Sequence, residues 1–238
     1  MTPEPLLNVE LLSAWYGRAQ ILFDVSLEVA GGEVVALMGR NGAGKSTTLK
    51  AIMGLVERTS GSVTFRRQPL RGRQPFEVAR MGLGYVPEDR RIFSELSVLE
   101  NLEVGRQRER EGVPAWSPEK LFRLFPNLGE LRERAGGQMS GGEQQMLTVA
   151  RTLMGNPHLV LLDEPSEGIA PKIVEDMADM ILELKQEGLA VMLSEQNLHF
   201  ARLVSDRAYV IEKGQVRYAG TMTELEANEE VKREYLSV

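Results

Sequence analysis

Gly39-Arg40-Asn41-Gly42-Ala43-Gly44-Lys45-Ser46 fits the pattern G-x-x-x-x-G-K-[ST], and its surroundings decide how the chain folds. Glu33 to Met38 before it reads as a buried strand, and Thr47 to Met53 after it as a helix. Gly39, Gly42 and Gly44 therefore occupy a strand-to-helix turn whose backbone amides converge on a polyphosphate at a helix N-terminus. Lys45 adds a point charge for the β- and γ-phosphates, and Ser46 a hydroxyl for Mg²⁺. A phosphate loop alone serves kinases, GTPases, helicases and motor ATPases, so the choice among them rests on the motifs further along the chain.

Working outward, 238 residues suffice for one full core with an appended subdomain. The 34 acidic and 28 basic side chains leave a net charge of −6, which argues against a broad nucleic-acid footprint. With no cysteine, disulfides and thiolate metal sites are excluded, and a reducing compartment is expected. Met1 to Pro5 carries no basic, apolar leader, and runs such as Leu159 to Leu162 fall far short of the ~18 residues of a membrane span.

Leu7 to Leu12, Val25 to Val29 and Ser62 to Phe65 read as strands of an antiparallel layer beside the nucleotide core. From about Val86-Pro87-Glu88 the chain turns helical and charged. Ser117-Pro118 starts a helix that Pro126 stops, and Arg106 to Glu111 reads as a solvated helix face. Beyond His158 strand and helix alternate again. Ile173, Val174, Met177, Met180, Ile181 and Leu184 form one apolar helix face, Leu189 to Ser194 a strand, Ala208 to Tyr218 a hairpin, and Thr223 to Tyr235 a terminal helix.

Two further segments carry chemistry. Leu159-Val160-Leu161-Leu162-Asp163-Glu164-Pro165 is an apolar strand ending in adjacent carboxylates, a costly arrangement without a cation nearby. It places Asp163 to hold Mg²⁺ through its water shell and Glu164 to polarise an attacking water. Met139-Ser140-Gly141-Gly142-Glu143-Gln144-Gln145 opens a helix with the apolar stripe Met146, Leu147, Ala150, Leu153 and Met154. Ser140, Gly141 and Gly142 there offer a hydroxyl and bare amides, a second anion site. Two such termini far apart in one chain fit a nucleotide clamped between the phosphate loop of one subunit and the Ser-Gly-Gly turn of another.

With these motifs the chain resembles, over essentially its whole length, the ATP-binding subunit of an ABC transporter. The resemblance implies an α/β fold, a P-loop NTPase with a RecA-like core, an N-terminal antiparallel β layer and a helical subdomain inserted at 89–157 within a single domain spanning 1–238. It also implies that Tyr16, with Trp15 as the lesser candidate, stacks on adenine, and that Asn41 to Thr47, Ala43 and Thr47 included, cradle the phosphates. Met139 to Gln145 match the signature motif, Asp163 and Glu164 the metal-organising and water-activating acids, and Ser166 to Ile169 the loop across the dimer seam.

Two positions depart from the commonest family pattern. Glu88 stands where most members place a Gln that touches Mg²⁺ and senses the membrane partner, and a carboxylate there repels a γ-phosphate while favouring the metal. Gln196 stands where most have a switch His; it can donate to a γ-phosphate oxygen but cannot titrate near neutrality. Together with Ser194-Glu195-Gln196-Asn197 and the ending Val231 to Leu236, these departures resemble one branch, the second ATP-binding subunit of branched-chain amino-acid importers. The resemblance implies catalysis by Glu164, Lys45 and Gln196, metal contacts from Ser46, Asp163 and Glu88, and ATP with Mg²⁺ as cofactors. It further implies permease subunits and a second ATP-binding subunit as partners, an external solute-binding protein indirectly, no nucleic acid, and a peripheral place on the cytoplasmic face of the inner membrane. The rival readings are a soluble ABC-type ATPase acting on nucleic acid or ribosomes, which usually carries two cassettes or a long insertion, and a P-loop kinase, for which no acceptor pocket or lid is legible.

Overall fold

The structure, a computed structural model, describes residues 4–236; the reading of Met1 to Pro3 as part of a leaderless start lies outside them. β1 (Leu7–Tyr16) and β2 (Ala19–Val29) form a hairpin, β3 (Val34–Met38) runs into the phosphate loop, and α1 (Lys45–Ile52) leaves it. β4 (Arg58–Phe65) and β5 (Gln68–Pro69) complete an antiparallel sheet of order β2-β1-β4-β5. After α2 (Pro75–Arg80) and β6 (Leu83–Val86) come α3 (Val98–Gly105), α4 (Pro118–Leu124), α5 (Pro126–Glu130) and α6 (Gly141–Leu153). The return through β7 (Leu159–Asp163), α7 (Pro171–Gln186), β8 (Ala190–Glu195), α8 (Leu198–Val204), β9 (Arg207–Glu212) and β10 (Gln215–Thr221) closes a six-stranded sheet of order β10-β9-β3-β8-β7-β6. It is parallel except for the β9/β10 hairpin.

β3 and β7 are apolar at nearly every position because both faces of this sheet are covered. Val34, Ala36 and Met38 join a core with α6, α7 and α8, while Val35 and Leu37 face α1 and the antiparallel sheet. Burying each such side chain contributes roughly 1.5–3 kcal/mol, so the strand that delivers the phosphate loop is anchored from two sides. Met177 and Met180 are buried in the first core, as their helical spacing requires.

Four local expectations need correction. β1, β2 and β4 run longer than their most apolar stretches, because cross-strand pairing carries polar residues such as Ser13↔Ser60 along with them. Pro126 stops α4 but also opens α5, since its missing N–H is no loss at a first helical position. Arg106 to Glu111 is not a helix face: α3 ends at Gly105, and Arg110 is drawn inward to donate to the carbonyls of Gly155, Asn156, Ala79 and Arg80. The terminal helix, α9 (Met222–Ala227), is broken at Asn228, whose side chain accepts from Val231 N at 3.1 Å and starts a new turn, α10 (Glu229–Val231), leading into a π-helical turn at Lys232–Leu236.

Candidate functional site

The C-terminal ends of β3, β6, β7 and β8 converge, and the sheet register alone brings their polar residues together: Met38 pairs with Glu195, and Asp163 with Ser194. The phosphate loop begins at Gly39, where a Cβ would lie 2.4 Å from the Ile211 carbonyl oxygen, and ends at Gly44, which caps α1 at φ +112°. Glycine has no side chain to close the helix, so the first amides of α1 are left for an anion. Asn41 and Gly42 are exposed, Ala43 is buried, and Ser46 and Thr47 are half-buried on the first turn of α1.

Lys45 is 3% exposed, and its Nζ donates to the carbonyls of Gly39 at 2.8 Å and Arg40 at 3.2 Å and pairs with Glu164 Oε1 at 3.0 Å. Removing one partner of a buried ion pair costs about 3–5 kcal/mol, although forming it gains far less against desolvation. Glu164 sits at φ +48°, and its amide donates to both the carbonyl and the hydroxyl of Ser194 at 3.1 and 3.0 Å. That grip holds an uncommon backbone conformation and turns the carboxylate toward Lys45.

Asp163 is buried and accepts from Ser194 Oγ at 2.7 Å and Tyr85 Oη at 3.0 Å. Burial, reinforced by the Asp163 charge, pushes the Tyr85 phenol far above its ordinary range, so it stays a donor. With Lys45 engaged by Glu164, Asp163 keeps two neutral donors and no cation, and the donor set fits a hard divalent cation held by few protein oxygens. Among the described residues no group of three or more acidic or histidine side chains forms a self-sufficient metal cage.

Glu195 is the residue that sequence reasoning passed over. Only 2% exposed, its carboxylate accepts from the amides of Ser166, Gln196 and Asn197 at 3.0 to 3.1 Å, and its carbonyl accepts from Gly39 N. Burial, opposed by those bonds, raises its pKa. One residue thus ties the Ser166 loop and Gln196, through its carboxylate, to the phosphate loop, through its carbonyl. The available signal was an acid at the end of an apolar strand, the feature that exposed Asp163.

Ser140 caps α6: its Oγ accepts from Glu143 N at 3.3 Å while Glu143 Oε2 accepts from Ser140 N at 2.7 Å. The cap uses a lone pair and leaves the hydroxyl proton free. Among the described residues no hydrogen bond or ion pair joins Ser140, Gly141 or Gly142 to the phosphate loop; Gly141 packs instead on Arg90 and Gly142 on Ile173. Tyr16 ends β1 and is 48% exposed, whereas Trp15 lies under the Arg58 guanidinium at 4.6 Å, so Tyr16 is the free ring. Glu88 and Gln196 are exposed. Phe93 is 47% exposed.

Residues 22–167 match the ABC transporter family model. The chain is 43% identical over 97% of its length to the high-affinity branched-chain amino acid transport ATP-binding protein BraG of Pseudomonas aeruginosa, covering 99% of that protein. It is 37% identical over 95% of its length to the lipopolysaccharide export system ATP-binding protein LptB of Escherichia coli, covering 94% of it. Among solved structures, a nucleotide-free ATP-binding cassette from an ABC transporter superposes with a TM-score of 0.81 at 28% identity, over 96% of this chain and 97% of that one. The phosphate loop feeding α1, the acid-tipped β7 and the Ser140-capped α6 thus meet in a chain that belongs to the ABC transporter family, as an ATP-binding and ATP-hydrolysing subunit.

Proposed function

We propose that this subunit drives uptake of branched-chain amino acids or a related small solute, with each ATP held between the phosphate loop of one cassette and the Ser140–Gly142 turn of another. The carrying observation is that one chain presents two glycine-bearing helix termini, at α1 and α6, that among the described residues share no hydrogen bond or ion pair. Gly39 and Asn41 to Thr47 cradle the phosphates, Tyr16 stacks on the base, and Ser140, Gly141 and Gly142 reach the γ-phosphate across the seam. Ser46, Asp163 and Glu88 hold Mg²⁺, which when bound screens the negative charge of the β- and γ-phosphates.

Catalysis belongs to the chain's own groups. Drawing the Lys45 ammonium onto a γ-phosphate oxygen frees the Glu164 carboxylate to accept a proton from the attacking water. Gln196, fixed through its amide by Glu195, donates to the γ-phosphate. Charge stabilisation and positioning do most of the work. The chain acts as a single domain over 1–238, and the helical stretch 89–157, an inserted subdomain, moves against the core as nucleotide is bound and lost. A cleft of about 570 Å³ between the two, bordered by exposed Leu55, Phe76, Phe93 and Val104, receives the permease subunits.

No described helix is long and apolar enough to cross a membrane, so attachment at the cytoplasmic face of the inner membrane comes through those subunits, and cargo through an external binding protein. The branched-chain reading is favoured over lipopolysaccharide export by the higher identity to the amino-acid transport relative. The test is to copurify the complete assembly and identify the solute on its binding protein. Recovery with a branched-chain or related amino acid supports the reading. A chain free in the cytosol with no permease retained after gentle extraction favours a soluble ATPase instead.

A further inference from the structure

The opposite, N-terminal ends of β6 and β7 border a second cleft, of about 410 Å³, walled by Arg66, Arg80, Arg108, Arg110 and His158. Glu109 and Glu111 also contribute to it. Four guanidiniums against two carboxylates leave an excess of two positive charges. Among the described residues none of these four arginines lies within ion-pair distance of a carboxylate, Glu109 and Glu111 included.

The cleft is more than solvated surface. Arg66 and Arg67 form the two-residue turn between β4 and β5, at φ +51° and +62°. A turn with both central residues at positive φ favours Asn-Gly, so its geometry gives no reason for arginine at the position that enters the cleft. Arg66 Nη1 lies 2.7 Å from His158 Nε2. A guanidinium only donates, so the ring accepts through Nε2, stays neutral and carries its proton on Nδ1. His158 is itself fixed by its amide, which donates to the Gly82 carbonyl at 2.7 Å. Arg110 is clamped by four backbone carbonyls. Burial and the charges of Arg66 and Arg110 push His158 from 6.5 down to about 4. Burial and the charges of Arg108 and Arg66 lower Arg110 in turn. Both groups lie in a cleft where positive charge exceeds the two carboxylates of Glu109 and Glu111.

We propose that this cleft binds a phosphate monoester dianion at a site separate from the nucleotide. Such a group carries about two negative charges at neutral pH, which matches the excess, and its oxygens suit the planar fork of arginine. Arg66, held by one Nη on His158, keeps its other donors for the anion and is pre-oriented, so little side-chain freedom is lost on binding; Arg110, its Nη groups engaged by carbonyls, contributes fixed charge. Arg108, exposed and with no hydrogen-bond or ion-pair partner for its side chain among the described residues, is free to close over the anion. The dianion comes either from a soluble phosphate or from a monoester lipid headgroup.

The test uses the full chain and a local reporter. There are two histidines, so the ring signals of His158 can be assigned by comparison with His158→Gln and followed by NMR as inorganic phosphate is added at constant ionic strength. A saturable shift of His158, with His199 unmoved, is expected. Arg66→Ala and Arg108→Ala should each weaken it about tenfold or more, the worth of a charge-assisted hydrogen bond. Arg108 is exposed and among the described residues its side chain makes no hydrogen bond or ion pair, so Arg108→Ala is expected to leave the urea unfolding midpoint unchanged, which separates loss of binding from loss of fold. A second arm sediments the protein with phosphatidylcholine vesicles carrying phosphatidic acid, a monoester, or phosphatidylserine, a diester. A preference for phosphatidic acid that Arg108→Ala abolishes assigns the lipid source. A His158 shift without that preference assigns the soluble one. No saturable shift and no preference, or a shift that both arginine variants leave unchanged, overturns the proposal.

Discussion

The N-termini of α1 and α6 share one design, a glycine-bearing turn aimed at an anion, yet they sit in opposite surroundings. At α1 the turn is wired into the core: Lys45 is buried against Glu164 and two loop carbonyls, and Glu164, Ser194, Asp163, Tyr85 and Glu195 continue the network across the strand ends. At α6 Ser140 is exposed, and among the described residues its hydrogen bonds stay within its own helix: the capping box with Glu143 and the Gln144 amide on its carbonyl. The first terminus is preorganised by its own chain. The second is shaped but unengaged, which is what the proposed two-cassette seam requires. The contrast teaches that recognising a phosphate-binding turn is a local matter, whereas its role depends on what the fold places opposite it.

The sharpest attack on this contrast is Glu164→Gln. It should lower turnover about 10²–10⁴-fold while ATP binding persists and an ATP-bound pair accumulates, read by steady-state hydrolysis and gel filtration. Wild-type turnover would remove the α1 side of the comparison. Ser140→Ala should cost about tenfold in turnover at concentrations where cassettes pair, and leave ATP affinity of dilute, unpaired protein unchanged. If dilute protein loses affinity too, Ser140 serves its own chain's site and the contrast collapses. Tyr85→Phe removes one donor to Asp163 and should slow hydrolysis about fivefold, the worth of a single hydrogen bond, with pairing unaltered; an undiminished rate would mean that Ser194 alone positions the acid.

Gln196→His should keep activity and introduce a dependence on pH between about 6 and 7.5. A flat profile would place residue 196 away from the γ-phosphate. The smallest effect is expected at the far end of the sheet. His158 titrates at about 4 when folded and 6.5 when free, so the unfolded chain binds the extra proton first and stability falls as pH drops from 6.5 toward 4. His158→Gln should flatten that slope in urea titrations across the window, with hydrolysis at neutral pH unchanged. An unaltered slope would assign the acid sensitivity to other groups.

Much of this was legible along the chain because its signals are local. The phosphate loop is contiguous, β7 announces itself by four apolar residues before two acids, and α6 by a serine and glycines before an apolar stripe. Less legible were interactions that depend on register. That Ser194 would grip both Asp163 and the Glu164 amide is a result of β7 and β8 lying side by side, a pairing between segments separated by α7. Glu195 escaped notice for the same reason, since its three amide partners come from two loops. Arg110 was misread because a charged run is usually a solvated face, and only packing brought it the carbonyls of Gly155–Asn156 and of the end of α2.

Sequence by itself determined which residues could meet a phosphate, because backbone amides, a lysine and a hydroxyl at one turn need only neighbours a few positions away. It also determined the alternation of strands and helices, since the periodicity of apolar residues is set by the geometry of each element. The tertiary structure alone decided which charges answer one another: Lys45 with Glu164, Asp163 with Ser194 and Tyr85, and, among the described residues, four clustered arginines outside ion-pair distance of any carboxylate. Electrostatic energy depends on distance and burial, and both are fixed only when distant segments pack.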